Sequence, residues 1–370
     1  MKLQVPRNIS DITPYPPGKP IEELEREYGI TGSIKLASNE NPFGPSPVAV
    51  AAMHDALADL HRYPDGSCYY LAQALSASLG IAPQRIVFGN GSNEVIEFLV
   101  KAFVGEGDEV VTSHPSFLMY QKFVQVRGGI NHVVELHDMY HDLDEILGLV
   151  TDRTRLIFLD NPNNPTGTLL PYERLGAFLE GLPDHVVVVL DEAYIDFVDE
   201  QNRYDTMPLI EDVGGRCGVV LLRTFSKAHG LAGLRVGFGL MCEEIAGCLH
   251  KVRQPFNVNL VAQKGACAAL ADVGFYQKTL QRTAAGKAYL SREVERLGCT
   301  AYPSHTNFFL IDVKGDATAL YEAMLKKGVI IRSMKAYGFN DFIRVNIGTG
   351  EENDRFLGAL AEALKECGYA

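Results

Sequence analysis

Val219-Val-Leu-Leu-Arg-Thr-Phe-Ser-Lys227-Ala-His-Gly-Leu-Ala-Gly-Leu-Arg235 reads as a short buried strand that ends in a loop of hydroxyls, glycines and cations. Four apolar residues in a row, bounded by loop signals, describe a strand covered on both faces, as in parallel sheets. Similar runs stand on either side: Ile86–Phe88, Glu109–Thr112, Asn131–Glu135, Arg155–Asp160, Val186–Asp191 and Val236–Met241. Amphipathic stretches near residues 93–104, 116–126, 142–150 and 171–181 lie between them. Strands alternating with helices predict an α/β fold whose large domain is a mostly parallel, seven-stranded sheet between helices.

Beyond this block the pattern changes. Helical periodicity dominates from about Glu243 to Leu297. The tail then alternates again, with apolar runs Asn307–Val313, Val329–Arg332 and Phe342–Ile347, a helix near Ala317–Lys327 and a last helix from Glu351. This predicts a smaller α/β domain. The first 45 residues carry Ile12-Thr-Pro-Tyr-Pro-Pro-Gly-Lys-Pro20 and Asn39-Glu-Asn-Pro-Phe-Gly-Pro-Ser-Pro47, which cannot build long helices or central strands. The expected division is an arm over 1–45 that joins the small domain, a large domain over 46–260 and a small domain over 261–370. A helix is expected from residue 46 to about Asp59, followed by the turn Arg62-Tyr-Pro-Asp-Gly-Ser67.

At 370 residues, with 46% hydrophobic and 22% charged residues, the chain can bury a large core without disulfides or metals. Acidic residues outnumber basic ones by 46 to 34, a net charge of −12, which argues against nucleic-acid binding. The seven cysteines form no C-x-x-C pair, so free thiols in a reducing cytosol are expected. Met1-Lys-Leu-Gln-Val-Pro-Arg-Asn-Ile-Ser10 lacks an apolar signal region, and no run is long enough to span a bilayer, so a cytoplasmic protein off the membrane is expected. His132, His137 and His141 cluster without the glutamate of a zinc-binding helix. They read as a solvated turn, and no metal site is expected.

In open α/β sheets, ligands bind outside the carboxyl ends of the strands. The residues that follow the apolar runs are therefore informative. Gly89-Asn-Gly-Ser-Asn-Glu94 opens a helix and offers backbone N–H groups and hydroxyls to an anion, although the same residues could be only a turn and cap. Asn161-Pro-Asn-Asn-Pro-Thr-Gly167 contains two X-Pro steps that hold the chain extended and fix its amides, or it is simply a stiff loop. Asp191 ends a buried strand and needs a cationic partner there, which a structural salt bridge would also provide. Lys227 lies at a strand end, where desolvation would free its amine as a nucleophile, although a lone lysine is ordinarily a solvated surface residue.

Taken together, these residues match what a pyridine aldehyde phosphate requires. Lys227 supplies an amine for a Schiff base, and Asp191 supplies a carboxylate for the ring nitrogen. Asn164 and Tyr194 face the phenolate oxygen, and Ser92, Thr224, Ser226 and Arg235 form a phosphate cup. Here the sequence resembles the fold-type I pyridoxal 5'-phosphate aminotransferases, through Ser226-Lys-Ala-His-Gly-Leu-Ala-Gly-Leu-Arg-Val-Gly237. Within that superfamily it is most similar to the histidinol-phosphate branch. The similarity runs from about residue 8 to 366 and includes Leu36-Ala-Ser-Asn-Glu-Asn-Pro-Phe-Gly-Pro-Ser-Pro47, Asp191-Glu-Ala-Tyr-Ile-Asp-Phe197 and Phe342-Ile-Arg-Val-Asn-Ile-Gly-Thr349.

The resemblance implies roles at matching positions. Lys227 carries the cofactor and moves the substrate proton, Asp191 and Tyr194 assist it, and Asn93 joins the phosphate cup. Phe117 stacks on the ring where the family often has tyrosine, and Tyr63 reaches the phosphate from the other subunit of a homodimer. Arg344 grips the α-carboxylate of glutamate, while Arg332, Tyr15 and Asn164 hold the rest of the substrate. The run after Arg332, Ser-Met-Lys335, departs from the acidic or basic continuation common in the family. The implied reaction is transamination between glutamate/2-oxoglutarate and histidinol phosphate/imidazole-acetol phosphate, in histidine biosynthesis. The rival readings are an aromatic amino-acid aminotransferase and a threonine-phosphate decarboxylase on the same scaffold.

Overall fold

The computed structural model of the protein describes residues 4–14, 18–211 and 218–369. In it the seven apolar runs form one seven-stranded sheet, ordered Ile86–Gly89, Gly237–Leu240, Val219–Thr224, Val187–Asp191, Thr154–Asp160, Glu109–His114 and Ile130–Glu135. Gly237–Leu240 is antiparallel to both neighbours, and the other pairings are parallel. The strands are apolar on both faces because helices cover both. Val188 and Leu190 enter a core with Leu71, Leu75, Leu175 and Phe178. Val187 and Val189 point the other way, among Val95, Leu99, Val124 and Leu249.

The one reversed strand matters for the site. Because Gly237–Leu240 runs backwards, its first residue pairs with the last residues of its neighbours, Gly89 and Thr224. Arg235, just before it, therefore stands at the same sheet edge as the residues that end the parallel strands. Arg235 has φ +57°, a left-handed conformation, and its Nη1 donates to the Ala232 carbonyl at 3.0 Å.

The tail folds into an antiparallel sheet ordered Arg332–Ser333, Phe342–Asn346, Phe308–Asp312 and Thr300–Ala301. The helices Ala317–Lys326 and Gly350–Cys367 pack on it through Leu320, Met324, Phe356 and Leu360. The expected run Val329–Arg332 divides in two. Val329–Ile330 pairs in parallel with the arm strand Ile34–Lys35, and Arg332–Ser333 moves to the other sheet. The arm accounts for the division, since Ile34 N–H donates to the Gly328 carbonyl and Leu36 N–H to that of Ile330.

The helix Val273–Arg296, at 24 residues about 36 Å long, links the two cores. Tyr276 near its start donates to Asp196 at 2.7 Å, and Leu290 and Val294 near its end are buried among the tail elements. The helix Leu260–Ala271, which spans the expected 260/261 boundary, buries Ala262, Ala266 and Ala269 in the core of the large sheet. After Ser46, whose side chain caps Val48 and Ala49, Pro47–Ala56 is helical and tightens into a 3-10 turn at Leu57–Asp59.

Cys68, Cys248, Cys267, Cys299 and Cys367 are free, but Cys242 is disulfide-bonded. The expectation of free thiols throughout fails at that residue. Among the described residues no helix is long and apolar enough to cross a membrane.

Candidate active site

A cavity of about 410 Å³ opens at the carboxyl edge of the large sheet. Lys227, Asp191, Tyr194, Asn164, Phe117, Ser92, Asn93, Thr224, Ser226 and Arg235 all line it. They come from segments more than a hundred residues apart, gathered by the parallel strands that deliver them to one edge.

One end of the cavity is built for an anion. The helix Ser92–Phe103 begins there on Gly91 without a side-chain cap, and its first residues, Ser92 and Asn93, line the cavity. Gly91 has φ +83°, and a Cβ at this position would lie 2.6 Å from Arg235 Nη2. Only glycine lets the guanidinium approach the loop so closely. Thr224 Oγ1 and Ser226 Oγ sit 3.0 Å apart beside it. Asn93 Oδ1 is buried and has no hydrogen-bond partner among the described residues. Glu94 stands where a dinucleotide fingerprint has its last glycine, and it accepts from Asn90 N–H and Asn257 Nδ2 at 2.6 Å each.

The opposite requirement appears at Asp191. It is buried, and it accepts from Tyr120 Oη at 2.8 Å and Ala193 N–H at 3.1 Å. Burial raises its pKa to about 7 despite the Tyr120 hydrogen bond. A structural salt bridge is not its role, since the neighbouring Glu192 takes that part with Arg223 at 2.8 Å. Lys227 lies between the two ends. Burial, reinforced by the positive charge of Arg344, lowers its pKa to about 8. Its Nζ donates to the Ser38 carbonyl at 3.4 Å and sits 5.6 Å from the Tyr194 ring centre.

These features pass the test for a pyridoxal phosphate. The cavity offers a buried carboxylate for a cationic ring nitrogen, an amine with a lowered pKa, and a glycine-floored cup with an arginine for a phosphate.

Along the third wall, Tyr194 Oη accepts from Asn39 Nδ2 at 2.9 Å. Burial lifts the Tyr194 pKa to about 12, so the phenol stays protonated. Asn164 N–H donates to Asp160 at 2.8 Å, and its side-chain oxygen accepts from Arg344 Nη1. Arg344 is buried over the Phe308 ring, and its Nη2 donates to the Ala37 carbonyl at 3.0 Å. The arm thus closes on the site. Asn41 Nδ2 also donates to the Ala228 carbonyl, and a Cβ on Gly230 would lie 2.3 Å from the Gly44 oxygen.

Three expected residues, Arg344, Arg332 and Tyr63, are not among the described residues that line this cavity. Arg344 stands just behind it, and Arg332 is its partner on the neighbouring strand. Tyr63 is 83% exposed and stacks on Phe256 at 5.0 Å. Tyr15 lies outside the described residues.

Two readings are corrected. The Asn161–Gly167 loop is not held extended: Gly167 N–H donates to the Asn163 carbonyl and Asn163 N–H to that of Thr168, at 2.8 Å each, so the chain turns back on itself. The histidines are not one solvated turn. His137 is exposed, but His141 is buried, with Nδ1 2.7 Å from Ser113 Oγ and Nε2 3.0 Å from the Asp160 carbonyl. Sequence reasoning also gave no role to Tyr120, Asn39 or Asp160. Tyr120 sits in an amphipathic helix, where an aromatic residue reads as core. Asn39 and Asp160 did carry a signal, since both adjoin motifs that were singled out.

The family description "Aminotransferase class I and II" matches residues 31–360. The chain is 63% identical over 369 residues to a histidinol-phosphate aminotransferase of Desulfotalea psychrophila, covering 100% of this chain and 97% of that one. It is 45% identical to that of Moorella thermoacetica, covering 96% and 92%. Among solved structures, a histidinol-phosphate aminotransferase from Sinorhizobium meliloti in complex with pyridoxal-5'-phosphate superposes with a TM-score of 0.90, at 30% identity and 99% coverage of both chains. A family match over most of its length, together with relatives that share nearly all of it, makes this chain a member of the class I and II aminotransferases.

Proposed function

We propose that the protein is a pyridoxal-phosphate-dependent transaminase of histidine biosynthesis. It moves the amino group of L-glutamate to 3-(imidazol-4-yl)-2-oxopropyl phosphate, releasing 2-oxoglutarate and forming L-histidinol phosphate, or runs the reverse. The observation that carries the reading is the convergence in one cavity of an amine of lowered pKa, a buried carboxylate without an ion pair and an uncapped helix N-terminus beside an arginine. The full-length similarity to histidinol-phosphate aminotransferases supports the substrate assignment.

When bound, pyridoxal phosphate supplies an aldehyde carbon that takes the amino group and a ring that draws electrons from the carbon being deprotonated. Lys227 Nζ would hold the group at that aldehyde carbon and, once freed, would serve as the base that moves the substrate proton. A pKa near 8 leaves a useful fraction of the amine unprotonated at neutral pH. Asp191 holds the proton on the ring nitrogen, and that pairing relieves the burial cost of its charge. Tyr194 and Asn164 hold the phenolate oxygen. Since the Asn164 side-chain oxygen is engaged by Arg344, its amide nitrogen is the donor left for this task. Phe117 covers the ring face. Ser92, Asn93, Thr224, Ser226 and Arg235 bind the phosphate, with the helix dipole adding to the attraction.

Both substrates are anions of different shape, and two guanidinium groups serve them. Arg332 and Arg344 are direct partners across adjacent antiparallel strands, so they project from the same face of the small sheet. Arg344 grips the glutamate α-carboxylate as a fork, and Arg332 and Tyr15 receive the substrate phosphate. The arm over 1–45 and the small domain formed by the tail close on the large domain, which includes the helix Leu260–Ala271, to exclude water. An exposed apolar surface around Leu57, Leu60, Tyr63, Tyr70 and Phe256 supports a homodimer in which Tyr63 reaches the phosphate of the partner subunit's site.

A substrate panel tests the reading. With 2-oxoglutarate as acceptor, kcat/KM for histidinol phosphate should exceed that for phenylalanine by at least about a hundredfold, the discrimination that about 3 kcal/mol of phosphate contacts provides. Preference for phenylalanine, or carbon dioxide released from threonine phosphate without an oxo acid, contradicts it.

A further inference from the structure

At the cavity wall lies a polar network centred on Asp160, whose carboxylate has no direct part in the reaction. Asp160 ends its strand beside Asp191, its register partner, and is almost fully buried. Its Oδ1 accepts from Ser116 Oγ at 2.7 Å and Asn163 Nδ2 at 3.1 Å. Its Oδ2 accepts from Asn164 N–H at 2.8 Å. His141 stands behind it. Nε2 lies 3.0 Å from the Asp160 carbonyl and 3.3 Å from Oδ1, and Nδ1 lies 2.7 Å from Ser113 Oγ.

A buried carboxylate destabilises a fold unless every lone pair is used. Here the donors that satisfy it come almost entirely from the loops around the site, and one of them is the backbone of Asn164. The Asn164 side chain then holds Arg344 from the small sheet. Two bonds therefore join Asp160 in the large core to the guanidinium that meets the substrate.

We propose that His141 and Asp160 are a positioning pair: His141 fixes Asp160, Asp160 clamps the backbone of Asn164, and Asn164 sets the orientation of Arg344. This rests on the reading of Arg344 as the anion grip. A bidentate grip loses affinity steeply with misorientation. The grip acts on ground state and transition state alike, so its loss appears in KM more than in kcat.

The test is steady-state kinetics on the holoenzyme. Replacement of Asp160 by Asn puts an NH2 group where Oδ2 or Oδ1 must accept. Asp160→Asn should raise KM for glutamate about tenfold, with KM for histidinol phosphate and kcat within about threefold of native. His141→Phe should act in the same direction. His141→Gln, which can still bridge Ser113 and Asp160, should restore KM to near the native value. In an Arg344→Lys background, Asp160→Asn should change KM by less than about twofold, since its route to the substrate is already broken.

Native KM values in Asp160→Asn and His141→Phe, or a full tenfold effect persisting beside Arg344→Lys, overturn the proposal. If Asp160→Asn does not fold, the His141 pair decides, because equal KM values in His141→Phe and His141→Gln also overturn it. Turnover of histidinol phosphate by the native enzyme tests the underlying reading separately.

Discussion

At the scale of single residues, the account depends on two groups whose burial opposes their charge. Lys227 has its pKa lowered to about 8 by burial and by Arg344. In the apoprotein its labelling by an amine-directed reagent, followed by mass spectrometry, should rise with a midpoint near pH 8, and a midpoint above pH 10 would show an ordinary solvated lysine. Asp191 runs the other way, with a folded pKa of about 7 against the ordinary 3.8. A raised carboxyl pKa means that the folded chain binds the proton more tightly than the unfolded chain, so this residue's contribution to stability falls as pH rises from about 4 to about 7. Asp191→Asn removes that burden. Thermal melts of the apoproteins should therefore coincide near pH 4, with Asp191→Asn melting higher at pH 8. A native apoprotein that melts as high at pH 8 would refute the assignment. Arg235→Ala removes one charge-assisted contact of about 1.5–3 kcal/mol, so the Kd for pyridoxal phosphate should rise roughly ten- to hundredfold, as read by absorbance titration.

At the scale of elements, the site was legible wherever chemistry follows directly on a strand. Each apolar run of the large sheet announced its own end, and Lys227, Asp191, Asn164 and the Gly91-Ser92-Asn93 turn could be read there. What stayed hidden arises between elements. Tyr120 reaches Asp191 from a helix 71 residues away, and His141 reaches Asp160 across a turn that looks solvated in one dimension. The run Val329–Arg332 was a single apolar stretch in sequence, and only the arm strand Ile34–Lys35 divides it. The helix Ser92–Phe103 provides the test at this scale. Gly91→Ala meets both a left-handed φ and the Arg235 guanidinium. Strain there costs about 1–3 kcal/mol. Cofactor affinity should fall about tenfold or more, while circular dichroism keeps the native helix content. Unchanged affinity would mean that the cup is not where the phosphate binds.

At the scale of the whole molecule, the loop after Val219–Thr224, the turn before the reversed strand and the small sheet bring Lys227, Arg235 and Arg344 to one place in an acidic chain, so a net charge of −12 is no obstacle to anionic substrates. The dimer reading predicts complementation. Lys227→Ala and Tyr63→Ala are each impaired alone, yet random mixing of the two should restore about a quarter of native activity, because half of the dimers carry one intact composite site. The most direct measurement concerns the bond on which the rest depends. Borohydride reduction of the holoenzyme, followed by proteolysis and mass spectrometry, should place the phosphopyridoxyl group on the peptide carrying Lys227 and on no other lysine. Label on a different lysine, or none at all from an active enzyme, would contradict the account.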